Sequence, residues 1–302
     1  MEIKELKKIL NEFGDDVKFE HDLKKKNWFN IGGKSKVFYQ AKNLKDLVNF
    51  LKKLNNQEKI FILGAGSNTL INDDFFNGVV IKLSKNFNNI SLLGEDIIIA
   101  GSAVLDKSLS DFAANNNLSG FEFLSCIPGT VGGGIKMNAG CFEEEVKDIL
   151  LSIQVVDRFG NIKTIQSKDI KFGYRKNDLS EELIFLSASF KGVKSENIKI
   201  RNKINMLKTK KEKSQPSKIK TSGSTFKNPI SQTDKKVWQL IKESVPLDVS
   251  FGDACISDKH CNFFVNKGDA KFKDMKNLID FVAKNVLEKT GISLEKEIKI
   301  LE

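Results

Sequence analysis

A run of glycines in the middle of the chain constrains its fold more than any other feature of the sequence. Residues 127–134 read Ile-Pro-Gly-Thr-Val-Gly-Gly-Gly, and residues 138–140 read Asn-Ala-Gly. Glycine loses more conformational freedom on folding than any other residue. A chain that orders so many glycines together typically needs its backbone to approach a ligand closely. A phosphate group received by backbone N–H groups is the usual ligand of such a segment.

Length and hydropathy place the chain among soluble globular proteins. It has 302 residues, 40% hydrophobic content and a mean hydropathy of -0.28. This length suffices for two or three domains with a large core. No apolar run is long enough to cross a bilayer, and residues 1–6 lack the apolar stretch of a signal peptide. The sequence therefore predicts a cytoplasmic protein.

The net charge of +10 raises the question of a nucleic-acid partner. Of the 49 basic residues only Arg158, Arg175 and Arg201 are arginine, which leaves 49 − 3 = 46 lysines. Proteins that read bases rely on arginine for bidentate contacts. The lysines are spread along the whole chain, so a solvated surface is favoured and no nucleic-acid partner is predicted. A general attraction of small anions is compatible with both interpretations.

The cysteines and histidines do not have the spacing of a metal site. The cysteines are Cys126, Cys141, Cys255 and Cys261, and no two of them form a CxxC pair. The histidines are His21 and His260. The sequence therefore predicts no zinc site. It favours reduced, mostly buried thiols in a reducing compartment.

Hydrophobic periodicity and turn residues predict a mixture of helices and strands. The predicted helices cover residues 1–25, 44–54, 104–120, 234–243 and 272–288, with a further helix and linker in 191–220. The predicted strands cover 60–63, 79–83, 97–100, 151–156, 162–165, 183–190 and 294–301. This pattern indicates an α+β or mixed α/β fold, with a domain boundary near 192–205.

Two familiar phosphate motifs fail in this sequence. Gly33-Lys34-Ser35 resembles the end of a P-loop, but the required glycine five residues before Gly33 is Trp28. Gly64 and Gly66 follow a predicted strand, but the third glycine of a dinucleotide fingerprint is replaced by Thr69. What remains is two loops, 64–68 and 128–140. The first is equally compatible with a simple tight turn, whereas the two together could hold one pyrophosphate from two sides.

These segments resemble a known flavin-binding fold. Residues 27–33, 63–68 and 127–133 are similar to the FAD-binding segments of the vanillyl-alcohol-oxidase/PCMH fold. Residues 137–141, Tyr174-Arg175, 223–229 and 294–298 are more specific, and they resemble the UDP-N-acetylenolpyruvoylglucosamine reductase (MurB) family. The resemblance runs in family order from about residue 27 to 301. The chain resembles the shorter type, without the inserted loop that closes the substrate site.

The resemblance implies an α+β architecture and a set of cofactor contacts. An FAD-binding region in two subdomains is expected over residues 1–192, with their boundary near 85. A C-terminal α+β substrate domain is expected over 193–302, and its last strand supplies a catalytic glutamate. Neither histidine lies in the flavin segments, so FAD is expected to be bound non-covalently. The residues expected to bind it are Gly64, Ala65, Gly66, Ser67, Asn68, Pro128, Gly129, Thr130, Gly132, Gly133, Asn138, Ala139 and Gly140.

The implied reaction reduces the enolpyruvyl ether of UDP-N-acetylglucosamine to UDP-N-acetylmuramate, with NADPH as the reductant of FAD. Negative charge develops on the substrate as an enolate, which Arg175 and a protonated Glu297 could stabilise. Ser224 suits the role of proton donor beside that enolate. The resemblance further assigns the substrate contacts to Tyr174, Lys227 and Asn228, with Asn228 on the diphosphate.

Each catalytic candidate also has a plainer interpretation from sequence alone. Arg175 could pair with Asp178 at the surface, Ser224 could be a turn serine, and Glu297 could lie on a solvated strand face. His260 is expected to be structural. The chain departs from the family pattern at Asn177, at Trp28 and at residues 142–143, which affects the geometry expected near the flavin. A sugar or lactone oxidase of the same fold is the alternative function, and a basic nucleic-acid binder is a third.

Overall fold

The chain forms two compact units. The computed structural model describes residues 1–217 and 219–302. Unit 1 comprises Met1–His21, Lys36–Ala65 and Asn77–Lys211. Unit 2 comprises Asp22–Ser35, Gly66–Phe76 and Glu212–Glu302, so it includes two short segments from the N-terminal half. The division into domains at residues 192 and 193 stays a prediction.

The helices and strands are as follows for the described residues. The α-helices are α1 (Ile3–Ile9), α2 (Leu44–Leu54), α3 (Asp106–Asn115), α4 (Val131–Lys136), α5 (Asn197–Ser214), α6 (Val237–Ser244) and α7 (Phe272–Thr290). The strands are β1 (Val17–Asp22), β2 (Lys34–Ala41), β3 (Ile60–Ile62), β4 (Thr69–Ile71), β5 (Phe76–Leu83), β6 (Ile90–Leu93), β7 (Ile97–Gly101), β8 (Leu118–Ser119), β9 (Gly140–Cys141), β10 (Glu144–Glu145), β11 (Leu150–Val156), β12 (Ile162–Gln166), β13 (Phe172–Gly173), β14 (Lys176–Asn177), β15 (Ile184–Lys191), β16 (Val193–Lys194), β17 (Ser250–Phe251), β18 (Ala254–Ile256), β19 (Phe264–Asn266) and β20 (Lys299–Leu301). Helices and strands thus mix in unequal alternation, and the predicted α+β class is confirmed.

The first sheet of unit 1 has the strand order β1-β2-β5-β3 and is covered by α2. Helix α2 is amphipathic: Leu47, Phe50, Leu51 and Leu54 recur at helical spacing and are buried. The side chain of Asn43 caps its N-terminus by accepting from the Asp46 N–H. The apolar face of α2 joins the core of this sheet, which explains why the helix forms here.

The second sheet of unit 1 has the order β12-β11-β15-β7-β6 and is antiparallel throughout. Helices α3 and α4 pack on it through Leu109, Ala113, Val131 and Ile135, all of which are buried in its core. Helix α4 contains Gly132, Gly133 and Gly134 of the glycine run, so packing on this sheet determines where these glycines lie.

Unit 2 is built around the long helix α7. Met275, Leu278, Ile279, Val282 and Val286 are buried along one face of that helix, in a core shared with α6 and the sheet β17-β18-β19. Strand β20 pairs in parallel with β4. None of the helices within the described residues is long and apolar enough to cross a membrane.

Several sequence-based boundaries are wrong. The predicted helix over 1–25 ends at Ile9, and β1 occupies Val17–Asp22; Gly14, with a φ of 50°, breaks the helical path between them. The helix predicted to end near 120 stops at Asn115, shortly before Asn117 with its φ of 57°. The final strand is only Lys299–Leu301, because the residues before it bond with a different segment, described below.

Candidate active site

The glycine run enters helix α4 through a capped turn. Thr130 has extended backbone angles and its Oγ1 accepts from the Gly133 N–H at 3.5 Å. This satisfies one of the N–H groups that have no partner within a helix. Three successive glycines are poor helix formers, so the fold or a ligand must require them.

Most glycines of the run are required by a buried polar surface beneath them. A Cβ on Gly129 would lie 2.7 Å from Asp106 Oδ2, and one on Gly134 would lie 3.2 Å from Asp106 Oδ1. A Cβ on Gly132 would lie 3.0 Å from Ser102 Cβ. Packing within the protein therefore accounts for three of the glycines that the sequence attributed to a ligand.

Gly133 is different, because no packing contact explains it. It is exposed, and the nearest atom to a Cβ there would be Thr130 Oγ1 at 3.6 Å, an ordinary van der Waals distance. Its φ is not positive, so backbone strain does not require glycine either. In a helix the glycine costs about 1 kcal/mol relative to alanine. No packing contact of Gly133 within residues 1–217 and 219–302 offsets that cost, which points to close approach from outside.

Asp106 is a buried carboxyl without a partner on one oxygen. Asp106 is 1% exposed, and its Oδ2 has no hydrogen-bond partner among the described residues. Burial raises the pKa of this carboxyl to about 8, since desolvation disfavours its charged form. Asp106 is therefore predominantly neutral at pH 7 and supports the glycine run without placing a full negative charge beneath it.

The two predicted loops approach each other at Gly64. A Cβ at Gly64 would come within 2.8 Å of Thr130 Oγ1, so glycine is needed at this position for its close approach to Thr130. Gly64 and Ala65 belong to unit 1, whereas Gly66, Ser67 and Asn68 belong to unit 2.

In unit 2 the end of this loop is tied to the C-terminal segment. Gly66 has a φ of 70°, and a Cβ there would lie 2.3 Å from the Lys26 carbonyl. Asn68 Nδ2 donates to the Glu297 carbonyl at 3.1 Å, and the Lys299 N–H donates to the Asn68 carbonyl at 2.9 Å. The Asn68 amide nitrogen therefore fixes the backbone beside a catalytic candidate.

Asn138 uses its side chain entirely within unit 1. It is 0% exposed, its Nδ2 donates to Glu145 Oε2 at 3.0 Å and to the Gly173 carbonyl at 3.1 Å, and its Oδ1 accepts from the Lys147 N–H at 3.1 Å. Its φ of 41° is in the left-handed region, which asparagine tolerates better than most residues. We call residues 127–140 the cradle segment. The Asn138 side chain joins this segment to the β13–β14 hairpin, which carries Arg175.

Arg175 lies in the two-residue turn between β13 and β14, with a φ of 56°. Its Nη2 donates to the Gly140 carbonyl at 2.7 Å and its Nη1 to the Asn138 carbonyl at 3.4 Å. The guanidinium carbon lies 5.0 Å from the centre of the Tyr174 ring. The side chain is 17% exposed, so the cation is oriented by the cradle backbone and by one aromatic face.

Two residues hold this hairpin: Glu145, which sequence reasoning missed, and Asn177, which it noted only as a departure from the family pattern. Glu145 Oε1 lies 3.6 Å from Arg175 Nη1, so Arg175 has an ion-pair partner on β10. Asp178 Oδ1 accepts from the Lys171 N–H. Asn177 Nδ2 donates to the carbonyls of Ile135 and Lys136 at the end of α4. Asn177 therefore caps the C-terminal end of α4.

The departure at residues 142–143 lies in a strained turn. Phe142 has a φ of 54° and Glu143 a φ of 73°, between the short strands β9 and β10. Left-handed conformations cost L-residues about 1–2 kcal/mol each, and glycine adopts them without this cost. The strained turn directly follows Gly140 and Cys141, at the end of the glycine-rich segment.

In unit 2 the segment around Ser224 is held by backbone bonds. The Thr225 N–H donates to the Asn262 carbonyl at 2.8 Å, and the Thr225 carbonyl accepts from the Glu297 N–H at 2.8 Å. Asn262 also binds Phe226 in both directions through its side-chain amide. These bonds bring Ser224 and Glu297 onto adjacent segments of backbone. Asn262 is buried and holds the backbone of the Ser224 segment in place; sequence reasoning missed this residue.

Lys227 and Asn228 both have protein partners. Lys227 Nζ lies 2.5 Å from Glu295 Oε1; the lysine side chain is 11% exposed and the glutamate 70%. Asn228 Oδ1 accepts from the Val237 N–H at 3.0 Å, at the first residue of α6. Glu297 itself is only partly buried. Diphosphate contacts by Lys227 and Asn228 therefore stay a prediction.

His260 has a structural environment. Its Nδ1 accepts from the Asn262 N–H at 3.2 Å, and its ring packs edge-on against Phe263 at 4.7 Å between centroids. Desolvation lowers the pKa of His260, which favours the neutral ring that this acceptor role requires. These contacts fit the expected structural role.

Comparison with known proteins decides the family. Residues 35–166 match the FAD-binding domain family, and residues 215–301 match the family of the C-terminal domain of UDP-N-acetylenolpyruvoylglucosamine reductase. The UDP-N-acetylenolpyruvoylglucosamine reductase of Pelagibacter ubique (strain HTCC1062) is 65% identical over 302 residues and covers 100% of both chains. The chain belongs to the UDP-N-acetylenolpyruvoylglucosamine reductase family.

Other members of the reductase family agree. The enzyme of Rickettsia typhi (strain ATCC VR-144 / Wilmington) is 42% identical over 284 residues, covering 94% of this chain and 95% of the relative. The crystal structure of the reductase (MurB) from Thermus caldophilus superposes with a TM-score of 0.80 at 29% identity, covering 95% and 98% of the two chains. The family resemblance of the motifs is therefore confirmed, together with the FAD-binding domain.

The unit 1 residues of the predicted cradle fit FAD, the cofactor of a UDP-N-acetylenolpyruvoylglucosamine reductase. Gly133 is exposed and has no side chain to keep a ligand away, and glycine at position 64 permits close approach to Thr130. A pyrophosphate can therefore come close to the backbone here, where the Gly133 N–H donates to Thr130 Oγ1 in a long bond of 3.5 Å. The side chains of Asn138 and Thr130, by contrast, form hydrogen bonds within the protein. Their contribution to cofactor binding is therefore indirect or through their backbone.

Proposed function

We propose that Arg175, Ser224 and Glu297 carry out the chemistry of the family reaction in this chain. The chain is a flavoenzyme that reduces the enolpyruvyl ether of UDP-N-acetylglucosamine to UDP-N-acetylmuramate, a step of peptidoglycan precursor synthesis. Bound FAD supplies the hydride, which NADPH provides to it. The roles of individual residues below rest on contacts within each unit.

The cofactor-binding assignment rests mainly on backbone. We propose that Gly129, Thr130, Gly132 and Gly133 line the pyrophosphate site at the start of α4. The N–H groups of Gly132 and Gly133 donate to the Ser102 carbonyl and to Thr130 Oγ1, so the glycines contribute by allowing close approach. Residues 64–68, Pro128 and 138–140 are proposed to complete the cofactor contacts. The neutral state of Asp106 supports this assignment, because an ionised carboxylate under the run would repel a pyrophosphate.

One observation carries the role of Arg175: its guanidinium is bound to the Gly140 carbonyl at 2.7 Å. Gly140 ends the cradle segment, so the cation is fixed to the same backbone that is proposed to hold the flavin. When hydride adds to the substrate methylene carbon, negative charge develops on the neighbouring carbon and its carboxylate. A preoriented guanidinium stabilises that charge without reorganising during the reaction.

Ser224 is proposed to donate the proton that completes the reduction. The backbone bonds of Thr225 and Phe226 hold the segment that carries Ser224, and they fix the position of Ser224 along it. A serine hydroxyl is a weak acid, so it donates only to a strongly basic enolate and must regain a proton afterwards. Glu297 is proposed to stabilise the substrate carboxylate as a hydrogen-bond donor, which requires its protonated form.

The substrate contacts are assigned more coarsely. We propose that Tyr174 lines the pocket and that Lys227 and Asn228 bind the diphosphate, which requires Lys227 to exchange its exposed partner Glu295 for the ligand. A cytoplasmic location is proposed as well, since the reaction consumes NADPH and a nucleotide sugar. The alternative of a sugar or lactone oxidase has no support in the family matches.

The assay that tests this proposal follows NADPH consumption that depends on UDP-N-acetylglucosamine enolpyruvate. Arg175→Ala is expected to lower kcat by about 10²–10³-fold, the usual loss for one preorganised charge-stabilising donor. Arg158→Ala is the matched control, because that guanidinium contacts Glu182 and Asn56 away from the cradle segment. Flavin absorbance should show that both variants retain FAD, and acid denaturation should release it.

Two results would contradict the proposal. A purified protein that is colourless and binds no FAD would remove the flavoenzyme assignment altogether. Full turnover by Arg175→Ala would leave that assignment standing and refute the role given to the guanidinium.

A further inference from the structure

The carboxylate of Glu145, on β10, is in contact with three donor groups of unit 1. Its Oε2 accepts from Asn138 Nδ2 at 3.0 Å and lies 2.7 Å from Lys147 Nζ. Its Oε1 lies 3.6 Å from Arg175 Nη1, an ion-pair distance that is too long for a hydrogen bond. Glu145 therefore acts on Asn138 through a hydrogen bond and on Arg175 through its negative charge.

The backbone of β9 leaves room for this carboxylate. Gly140 lies opposite Glu145 in the β9–β10 pair. A Cβ at Gly140 would lie 2.8 Å from Glu145 Cγ and 3.1 Å from Arg175 Nη1. A side chain at position 140 would thus push both the acid and the cation away. Glycine at this position, which the sequence assigned to the cofactor, also allows Glu145 and Arg175 to approach each other.

The contacts of the Arg175 guanidinium differ between its two terminal nitrogens. Nη2 donates to the Gly140 carbonyl at 2.7 Å, a short bond that fixes one corner of the plane. The bond from Nη1 to the Asn138 carbonyl is longer, 3.4 Å, and therefore weaker. Glu145 lies beside this second corner. The side chains of Arg175 and Glu145 are 17% and 16% exposed, so salt screens their attraction less than that of a surface pair.

We propose that Glu145 is a positioning residue that fixes the plane of the Arg175 guanidinium while the substrate is reduced. The inference rests on the function proposed for Arg175. Donors stabilise developing negative charge best when they are oriented before the reaction begins. A guanidinium that had lost the charge beside Nη1 would have to reorient during the reaction, and this cost appears in the rate.

The chemistry of the three donors specifies a carboxylate at position 145. A carboxylate accepts hydrogen bonds at both oxygens, whereas the glutamine amide carries an NH₂ group at one end. Glutamine at this position would turn that NH₂ group either toward Arg175 or toward Asn138. Glutamine matches glutamate in shape and aspartate matches it in charge, so the two substitutions separate shape from charge.

The experiment compares Glu145→Gln and Glu145→Asp in the FAD-loaded enzyme by stopped-flow absorbance of the flavin. Glu145→Gln should slow oxidation of the reduced flavin by substrate by about 10²-fold, the cost of displacing a catalytic group by roughly 1 Å. Reduction of the flavin by NADPH should stay unchanged, because the proposed role of Arg175 concerns the substrate. Glu145→Asp should oxidise faster than Glu145→Gln, because aspartate keeps the charge.

Two further variants test whether Glu145 acts through Arg175. Glu144→Gln is the matched control: Glu144 is the preceding residue of the strand, its side chain points to the opposite face, and it pairs with Lys203 Nζ at 2.7 Å. Both flavin steps should keep their rates in that variant. Adding Glu145→Gln to Arg175→Ala should cause little further loss, because the group that Glu145 positions is already absent.

Several results would overturn the proposal. Oxidation by Glu145→Gln that is as fast as by Glu145→Asp would mean that shape matters and charge does not. Equal slowing of both flavin steps, loss of bound FAD from both variants, or the full loss on top of Arg175→Ala would indicate a role that does not pass through the guanidinium. Full turnover by Glu145→Gln beside an impaired Arg175→Ala refutes this inference alone. Full turnover by Arg175→Ala refutes the proposed function of that residue and this inference with it.

Discussion

The glycine run of unit 1 and the Ser224 segment of unit 2 use their backbone and side chains in opposite ways. In the run, the side chains of Thr130 and Asn138 are engaged within the protein, and exposed Gly133 has no side chain to keep a ligand from its backbone. In the Ser224 segment the backbone of Thr225 and Phe226 is engaged by Asn262 and Glu297. There the side chains remain the chemically useful groups.

The contrast follows from what each ligand requires. A cofactor that is only held can be received by backbone N–H groups, which are rigid and carry no titratable charge. A substrate that gains a hydride and a proton needs groups whose charge and protons can change, and only side chains provide them. We therefore expect substitutions in the run to affect binding and substitutions in the Ser224 segment to affect rate.

The largest expected effect distinguishes reduction of the flavin by NADPH from oxidation of the reduced flavin by substrate. Ser224→Ala should slow oxidation of the reduced flavin by substrate by about 10²–10⁴-fold, the range for loss of a general acid. Reduction of the flavin by NADPH should stay unchanged, because no substrate proton is involved. Stopped-flow absorbance of the flavin measures both steps. Equal slowing of both steps would mean that the segment shapes the flavin environment instead; Ser231→Ala, in the loop before α6, is the control.

The next effect concerns the buried surface beneath the run. The pKa of Asp106 is about 8 in the folded protein against 3.8 in the unfolded chain, so between these values the folded state binds more protons. The free energy of unfolding should therefore fall as pH rises, by about 2–3 kcal/mol between pH 5 and 7 from this group alone. Asp106→Asn should remove that part of the slope in urea unfolding of the FAD-saturated protein.

The matched control for that measurement is Asp111→Asn, on the same helix but partly exposed and paired with Arg201. It should keep the slope of the unsubstituted protein. If Asp106→Asn shifts the free energy of unfolding by the same amount at every pH, the Asp106 carboxyl is ionised in the folded state. The claim that a neutral carboxyl lies beneath the glycine run is then wrong.

A third substitution tests which glycine serves the ligand. Gly133→Ala should raise the Kd for FAD about tenfold, because a methyl group would obstruct the exposed backbone. The same change should leave the fold intact or stabilise α4 by up to about 1 kcal/mol. Gly134→Ala is the comparison: its Cβ would lie 3.2 Å from Asp106 Oδ1, so it should lower stability. Unchanged FAD affinity in Gly133→Ala would break the contrast drawn above.

The smallest expected effect is in the turn after the run. Glu143 is exposed and has a φ of 73°, so Glu143→Gly should stabilise unit 1 by about 0.5–1 kcal/mol, the relief of left-handed strain less the entropy of glycine. Glu143→Ala keeps the strain and should show no gain. A destabilised Glu143→Gly would indicate a side-chain contact that outweighs the strain. Thermal unfolding measures both variants.

Sequence reasoning found the elements with strong local signals. Helix α2 and the β11–β12 hairpin formed as predicted, because amphipathic spacing and the Phe159-Gly160-Asn161 turn are local properties. The predicted strand over 294–301 was mostly wrong, since its pairing depends on Thr225 and Asn68, far away in the chain. Local patterns cannot indicate which distant segment supplies the partner.

The sequence by itself determined the family, the FAD-binding domain and the candidate residues Arg175, Ser224 and Glu297, because these lie in ordered motifs of fixed residue type. Only the tertiary structure decided why the glycines are there. Gly129, Gly132 and Gly134 pack against Asp106 and Ser102, and Gly133 alone has no such neighbour. It also brought Glu145 to Arg175. Such contacts join residues that are separated along the chain, and packing brings them together where spacing gives no signal.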